Sequence, residues 1–213
     1  MEMLEQQLKC PKGEKGIALG EQMDRSNIGM TKSAIDILEL LDGDRLLELG
    51  HGNAGHLSYI FDKSPNVNYT GLELSETMFE EAKKKNKEYT TLGKAEFLLY
   101  DGETLPFDSN SFSKIVTVNT LYFWTSPADL LTELARVCQA DGRLVVSFAE
   151  KSFMKKLPFV RDEFSLYDES SFLDLLKQSP FVLGNMDKRI EQVRSKSGDL
   201  VDRIYYNALL LKR

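Results

Sequence analysis

Two periodicities alternate along most of this chain. Short apolar runs at Arg45–Leu49, Val67–Leu72, Ala95–Leu99, Lys114–Val118 and Arg143–Phe148 have the length and composition of buried strands. Between them lie segments with helical spacing: Ala54 to about Phe61, SETMFEEAKKKNKEY opened by Ser75, and Ala128–Gln139. A further helix is predicted just before the first strand. Thr31 would cap it, Ala34, Ile35, Leu38 and Leu41 would form its apolar stripe, and Gly43 would stop it. Strands alternating with helices imply a largely parallel sheet covered on both faces. The last third departs from the pattern. Asp187–Ser195 and Arg203–Leu211 flank the turn-rich SKSGDLVD, which predicts an antiparallel hairpin closing one sheet edge. The first ~20 residues are polar with no clear period and are expected to form a loosely packed lead-in.

At 213 residues the chain suits one ordinary domain. Its 42% hydrophobic and 28% charged residues are the mix of a soluble globular protein. A net charge of −6 argues against nucleic acid as a partner, since phosphate binding rewards a basic surface. The lysines Lys83–Lys85 and Lys87 follow Glu80 and Glu81 and read as a solvated helix face. No run reaches the roughly 20 apolar residues of a membrane span, and MEMLEQQLKCPKGEKG lacks a signal-peptide core. Cys10 and Cys138 match neither a disulfide framework nor a zinc spacing, so free thiols, a cytoplasmic setting and no metal are expected.

The chemistry gathers at LLELGHGNAGHL, Leu46–Leu57, where an apolar run ends in Glu48 and breaks into Gly50, Gly52 and Gly55. Glycines there allow unusual backbone angles and let a ligand approach the main chain. The turn alone fits a dinucleotide or another nucleotide-like cofactor. In an open parallel sheet ligands bind beyond the carboxyl ends of the strands. Those ends carry Glu48, Glu73, Asp101-Gly102 and Asn119. Glu73, 23 positions beyond Gly50, can accept from two ribose hydroxyls, or it is a surface carboxylate. Asp101 can accept from an adenine amine, or it forms an Asp-Gly turn. Three carboxylates without a basic residue favour a cationic cofactor over a phosphate-bearing one.

With these residues in view, the chain resembles the class I S-adenosylmethionine-dependent methyltransferases, type 11, including the ubiquinone/menaquinone-biosynthesis-like enzymes. The matching stretches are ELGHGNAG (Glu48–Gly55), LEL (Leu72–Leu74), DGETLPFDSNSFSKIVTVNTLYF (Asp101–Phe123) and DGRLVVSF (Asp141–Phe148). The resemblance implies a Rossmann-like α/β fold. Its seven-stranded sheet would be mostly parallel, with an antiparallel C-terminal hairpin strand and helices on both faces. One domain would span 1–213, divided into an N-terminal helical cover (1–43), a cofactor core (44–150) and a substrate-side segment with the edge hairpin (151–213). It further implies that Glu48, Gly50, His51 and Gly52 hold the methionine part of S-adenosylmethionine and that Glu73 binds the ribose. Leu74, Asp101 and Gly102 would meet the adenine, and the Asn119 backbone the methionine amine. Ala54 stands where the family often has the third glycine of GxGxG.

A sulfonium methyl is already activated, so holding the acceptor in line and excluding water suffices unless the acceptor must lose a proton. The candidate catalytic groups are His51, between two turn glycines, and Tyr122, after the fourth strand. His56 is expected to pack or cap the following helix. Met23, Asn27, Tyr122 and Trp124 are the candidate acceptor pocket, with Phe123 alongside. Met30 would belong to the cover, and Phe153, Met154 and Phe159 would form the far wall. The expected partner is a small-molecule acceptor, with no nucleic acid or membrane, and the protein a monomer or homodimer. Two alternatives stay open: an NAD-dependent oxidoreductase of related fold, and a non-catalytic module that binds S-adenosylmethionine.

Overall fold

A computed structural model describes residues 2–161, 164–194 and 200–213. Seven strands form one sheet: β1 Arg45–Leu49, β2 Asn68–Glu73, β3 Ala95–Leu99, β4 Phe112–Val118, β5 Cys138–Ala149, β6 Phe181–Arg194 and β7 Leu200–Lys212. Their spatial order is β3-β2-β1-β4-β5-β7-β6. β1 to β5 are mutually parallel, whereas β7 runs antiparallel to β5 and β6 antiparallel to β7. Strand order therefore reverses between β1 and β4, and a cavity opens at their carboxyl ends, as expected of such a sheet. The sheet is the predicted one, with the antiparallel hairpin at one edge: β7 is inserted beside β5, and β6 is the outer strand. The turn expected at 195–199 lies outside the described residues, and Leu200–Asp202 belong to β7.

Alternation along the strands divides the core between two faces. Leu46, Tyr69, Phe97, Val116 and Val145 point to one face. They meet α2 (Gly13–Leu38), α3 (Leu57–Lys63) and α4 (Glu76–Lys85). Leu47, Leu72, Ile115, Leu144 and Val146 point to the other, against α6 (Pro127–Val137), α7 (Lys151–Met154) and α8 (Glu169–Leu176). Ser75 does cap α4, its hydroxyl accepting from Met78 N at 3.1 Å. A short α5 (Lys87–Thr91) follows.

The amino-terminal expectation was wrong. In place of a loose lead-in, α1 (Glu2–Lys9) is followed by the 26-residue α2, with Thr31 inside the helix and not capping it. The helix ends at Leu38, where Glu39 turns left-handed (φ 52°), so Gly43 is not its stop. Glycines hid this helix, yet its packing requires two of them. A Cβ on Gly16 would lie 2.8 Å from the Pro11 carbonyl carbon, and one on Gly20 2.5 Å from Met78 Sδ. The start of α2 is thus stabilised by close tertiary approach more than by local propensity. Phe153 and Met154 are buried in the core with Phe159 packed against it, so they do not form a cavity wall. No helix among the described residues is long and apolar enough to cross a membrane.

Candidate functional site

A cavity of about 250 Å³ sits at the β1/β4 switch point, roofed by α1 and α2. Its floor is the turn after β1. Gly50 and Gly52 are left-handed (φ 72° and 57°), and a Cβ on Gly50 would lie 2.4 Å from Thr120 Cγ2. Ala54, at the third turn position, is left-handed as well (φ 49°) and fully buried. The Gly52 N–H donates to Glu73 Oε2 at 2.9 Å, which ties the turn to the end of β2.

Glu48 is buried beneath the turn. His56 Nε2 and the Tyr69 hydroxyl both donate to its Oε2, each at 2.7 Å. Burial opposes the charged carboxylate, but His56 and the hydrogen bonds prevail, and the Glu48 pKa falls below its ordinary value. His56 moves the opposite way. Burial disfavours its imidazolium, the adjoining Glu48 charge outweighs that, and the net shift is upward. His56 occupies the cap position of α3 without a side-chain capping bond, so it packs through the Glu48 pair. His51 is buried too, with burial pushing its pKa down. Its Nδ1 bonds the Gly52 carbonyl at 2.7 Å, its ring meets Phe97 edge-on at 4.9 Å, and Nε2 is left without a partner.

The second and third strand ends complete one side. Glu73 accepts from Gly52 N, Leu74 N (2.9 Å) and Ser75 N (3.1 Å), using about three of its four lone-pair positions. Asp101 Oδ1 accepts from Glu103 N and Thr104 N, each at 2.8 Å, and these bonds lower its pKa. The turn alternative for Asp101 is therefore real, and its carboxylate still lines the cavity. Gly102 (φ 91°) packs beneath Leu74, whose Cδ2 would lie 3.2 Å from an added Cβ.

On the β4 side Asn119 is left-handed (φ 58°), and its N–H donates to Ser147 O at 2.9 Å. Its side chain accepts from the Tyr122 hydroxyl at 3.0 Å and lies 3.6 Å from the buried Met30 sulfur. Tyr122 itself requires a correction. Its ring is core, its hydroxyl is locked by the Ala149 N–H and Asn119, and burial raises its pKa, so it neither lines the cavity nor offers a base. Phe123 and Trp124 face the cavity in its place. The 3₁₀ turn Leu121–Phe123 turns Tyr122 into the core and brings the consecutive Phe123 and Trp124 to the cavity, which the alternation of a strand does not reveal.

The roof face of α2 presents Gly20, Met23, Asp24, Asn27 and Thr31 at helical spacing. Met23 and Asn27 thus line the cavity. Asp24 and Thr31 were missed because their helix was not recognised; an i, i+3/i+4 count through Gly20 would have found them. The cavity lining gathers Glu48, Gly50, His51, Gly52, Glu73, Leu74, Asp101, Gly102 and Asn119, with Lys9 as its one lysine or arginine among the described residues.

Residues 47–146 match a protein family described as a methyltransferase domain. Over 163 residues the chain is 29% identical to the phthiotriol/phenolphthiotriol dimycocerosates methyltransferase of Mycobacterium leprae, covering 76% of this chain and 56% of that one. It is 26% identical over 140 residues to the fatty-acid O-methyltransferase of Mycolicibacterium smegmatis, covering 65% and 49%. The chain thus spans about half the length of these curated relatives. Among solved structures, a SAM-dependent methyltransferase from Aquifex aeolicus superposes with a TM-score of 0.66 at 19% identity, covering 90% of this chain and 97% of that one.

Proposed function

We propose that this chain is a class I S-adenosylmethionine-dependent methyltransferase that methylates a small-molecule acceptor by in-line displacement, a reading supported by the methyltransferase-domain match and the methyltransferase relatives. The observation that carries the reading is the strand-end ring of carboxylates, Glu48, Glu73 and Asp101, around a backbone cradle that Gly50 keeps free of Cβ atoms. That set of acceptors fits a sulfonium cofactor bearing an amine, a ribose and an adenine, and would repel a pyrophosphate. When bound, S-adenosylmethionine supplies an activated methyl group, and transfer leaves S-adenosylhomocysteine.

This chain's own residues bind, orient and exclude water. Gly50, His51 and Gly52, with the Asn119 backbone, would cradle the methionine part, Glu48 setting the local charge from beneath. Glu73 would hold the ribose hydroxyls, and Leu74, Asp101 and Gly102 the adenine. α2 covers the cavity with Met23 and Asn27, which with Phe123 and Trp124 would hold the acceptor in line. His51 is a poor candidate for a base, because burial disfavours the imidazolium it would become on taking a proton. The reading therefore assigns no general base. We read the chain as a single domain with cover (1–43), core (44–150) and substrate-side segment (151–213), acting in the cytoplasm as a monomer or homodimer.

Calorimetry tests the cofactor. S-adenosylhomocysteine is expected to bind with micromolar affinity or better and NAD not at all; the reverse would sink the proposal in favour of an oxidoreductase. Glu73→Ala should weaken S-adenosylhomocysteine about 10- to 100-fold, the scale of one or two hydrogen bonds to a charged group. A module that binds without reacting would show the same affinities but release no S-adenosylhomocysteine across an acceptor panel.

A further inference from the structure

On the side of the cavity away from Glu73 and Asp101, one polar group is oriented by a contact that admits a single assignment. Asn27 lies on the roof face of α2, one turn from Met23 and one from Thr31, and lines the same cavity as Phe123 and Trp124. Behind it stands Arg203 of β7, the strand beside β5. Its guanidinium is buried and donates from Nη1 to Asn27 Oδ1 at 2.8 Å and from Nη2 to Ser26 O at 2.7 Å. Guanidinium has donors and no acceptor, so the Asn27 oxygen must face it, and the two N–H bonds of the amide point away from it. The Arg203 charge is matched in place: Glu191 Oε1 accepts from Nε at 3.0 Å and from Nη2 at 2.6 Å.

We propose that Asn27 is a specificity-determining residue that donates an amide N–H to an uncharged oxygen of the methyl acceptor, and that Arg203 is the positioning residue fixing that direction. The proposal rests on the methyl-transfer reading and names the acceptor class: a neutral, oxygen-bearing molecule with an apolar body. The apolar body is met by Met23, Phe123 and Trp124. Trp124 Nε1–H already donates to Thr120 Oγ1 at 3.1 Å, so its ring serves as surface and not as a donor. A carboxylate would find poor company here. Arg203 is neutralised by Glu191, Asp24 lies on the same helix face, and Lys9 belongs to α1. An amide N–H whose neighbouring guanidinium is already paired discriminates for a carbonyl, ether or hydroxyl oxygen over bare hydrocarbon, because an unmatched buried donor is costly.

The test uses the full chain saturated with S-adenosylhomocysteine and three probes of similar shape: acetophenone, ethylbenzene and benzoate. Binding is read by ligand-observed NMR and calorimetry. Acetophenone, which only accepts, is expected to bind at least about tenfold more tightly than either of the others. Asn27→Asp keeps an oxygen for Arg203 but removes the donor. It should cost acetophenone at least about tenfold while S-adenosylhomocysteine affinity stays within about twofold. Arg203→Met should lose the preference for acetophenone over ethylbenzene, and Arg203→Lys, which can still donate to Asn27 Oδ1, should restore much of it. A merely structural role would lower thermal stability and S-adenosylhomocysteine affinity together and leave the preference intact. Equal binding of acetophenone and ethylbenzene, binding of neither, or an Asn27→Asp variant that keeps the preference would each overturn the proposal. Failure of the wild-type chain to bind S-adenosylhomocysteine would overturn the methyl-transfer reading with it.

Discussion

Ala54 occupies a backbone conformation that few side chains tolerate. Its φ of 49° lies in the left-handed region, and its methyl group is fully buried. A β-branched side chain there combines backbone strain with overpacking. Ala54→Val should therefore destabilise the fold by about 2–4 kcal/mol in denaturant titration. Ala54→Gly should stay within about 1 kcal/mol of wild type, relief of strain offsetting the freer unfolded chain. The two buried histidines make a second prediction, of opposite signs. His51 is held neutral, so its contribution is present above the unfolded pKa of about 6.5 and is lost as pH falls below it. His56 is raised by Glu48, so its contribution is complete below about 6.5 and disappears as pH climbs through its higher folded value. Glu48, lowered, adds stability above about 4.5 and loses it only at more acid pH. Between pH 8 and 5.5 the melting temperature of His51→Gln should rise relative to wild type on acidification, and that of His56→Gln should fall. Parallel profiles would show that the two rings do not carry opposite shifts.

At the scale of elements, β1 to β5 were legible because buried parallel strands are near-continuous apolar runs, and their end residues marked the cavity. Glu48, Glu73, Asp101 and Asn119 could be located by that rule alone. What stayed hidden has physical reasons. The first half of α2 is polar and glycine-bearing, so no apolar period announces it; contacts made far along the chain hold it, such as Gly13 N to Thr77 Oγ1 at 3.1 Å. Tyr122 was misplaced because a single 3₁₀ turn decides which aromatic faces inward. Gly16→Ala follows from the same packing. Its Cβ would meet backbone at Pro11, which cannot swing aside as a side chain does, so α1 must shift. The expected cost is about 1–3 kcal/mol, with faster hydrogen exchange across α1 and little change in β1 or β4. Unchanged exchange in α1 would mean that this junction does not depend on the glycine.

For the whole molecule, the cavity joins the sheet to its roof, so a ligand bound there should stabilise the fold globally. With S-adenosylhomocysteine at a hundredfold excess over its Kd, linkage gives about 2.7 kcal/mol. For a chain of 213 residues that corresponds to roughly 5–11 °C in Tm. Scanning fluorimetry should show the shift with S-adenosylhomocysteine and none with NAD. The long helix α2 has a further consequence. Its 26 residues span about 39 Å. Its later half is locked into the sheet through Ala34, Ile35 and Leu38, while the earlier half is clipped to α4 by the Gly13–Thr77 bond and by the Ser75 hydroxyl on the Pro11 carbonyl. Such a helix works as a leaf spring with one clamped end and one latch. Releasing the latch would break a few hydrogen bonds and the packing of Gly20 on Met78 while leaving the sheet-bound half in place, so the residence time of a molecule bound beneath it would be set at the clips. In the proposed function the strand-end carboxylates would set how tightly that molecule is held, so dwell and grip would be tuned by different residues.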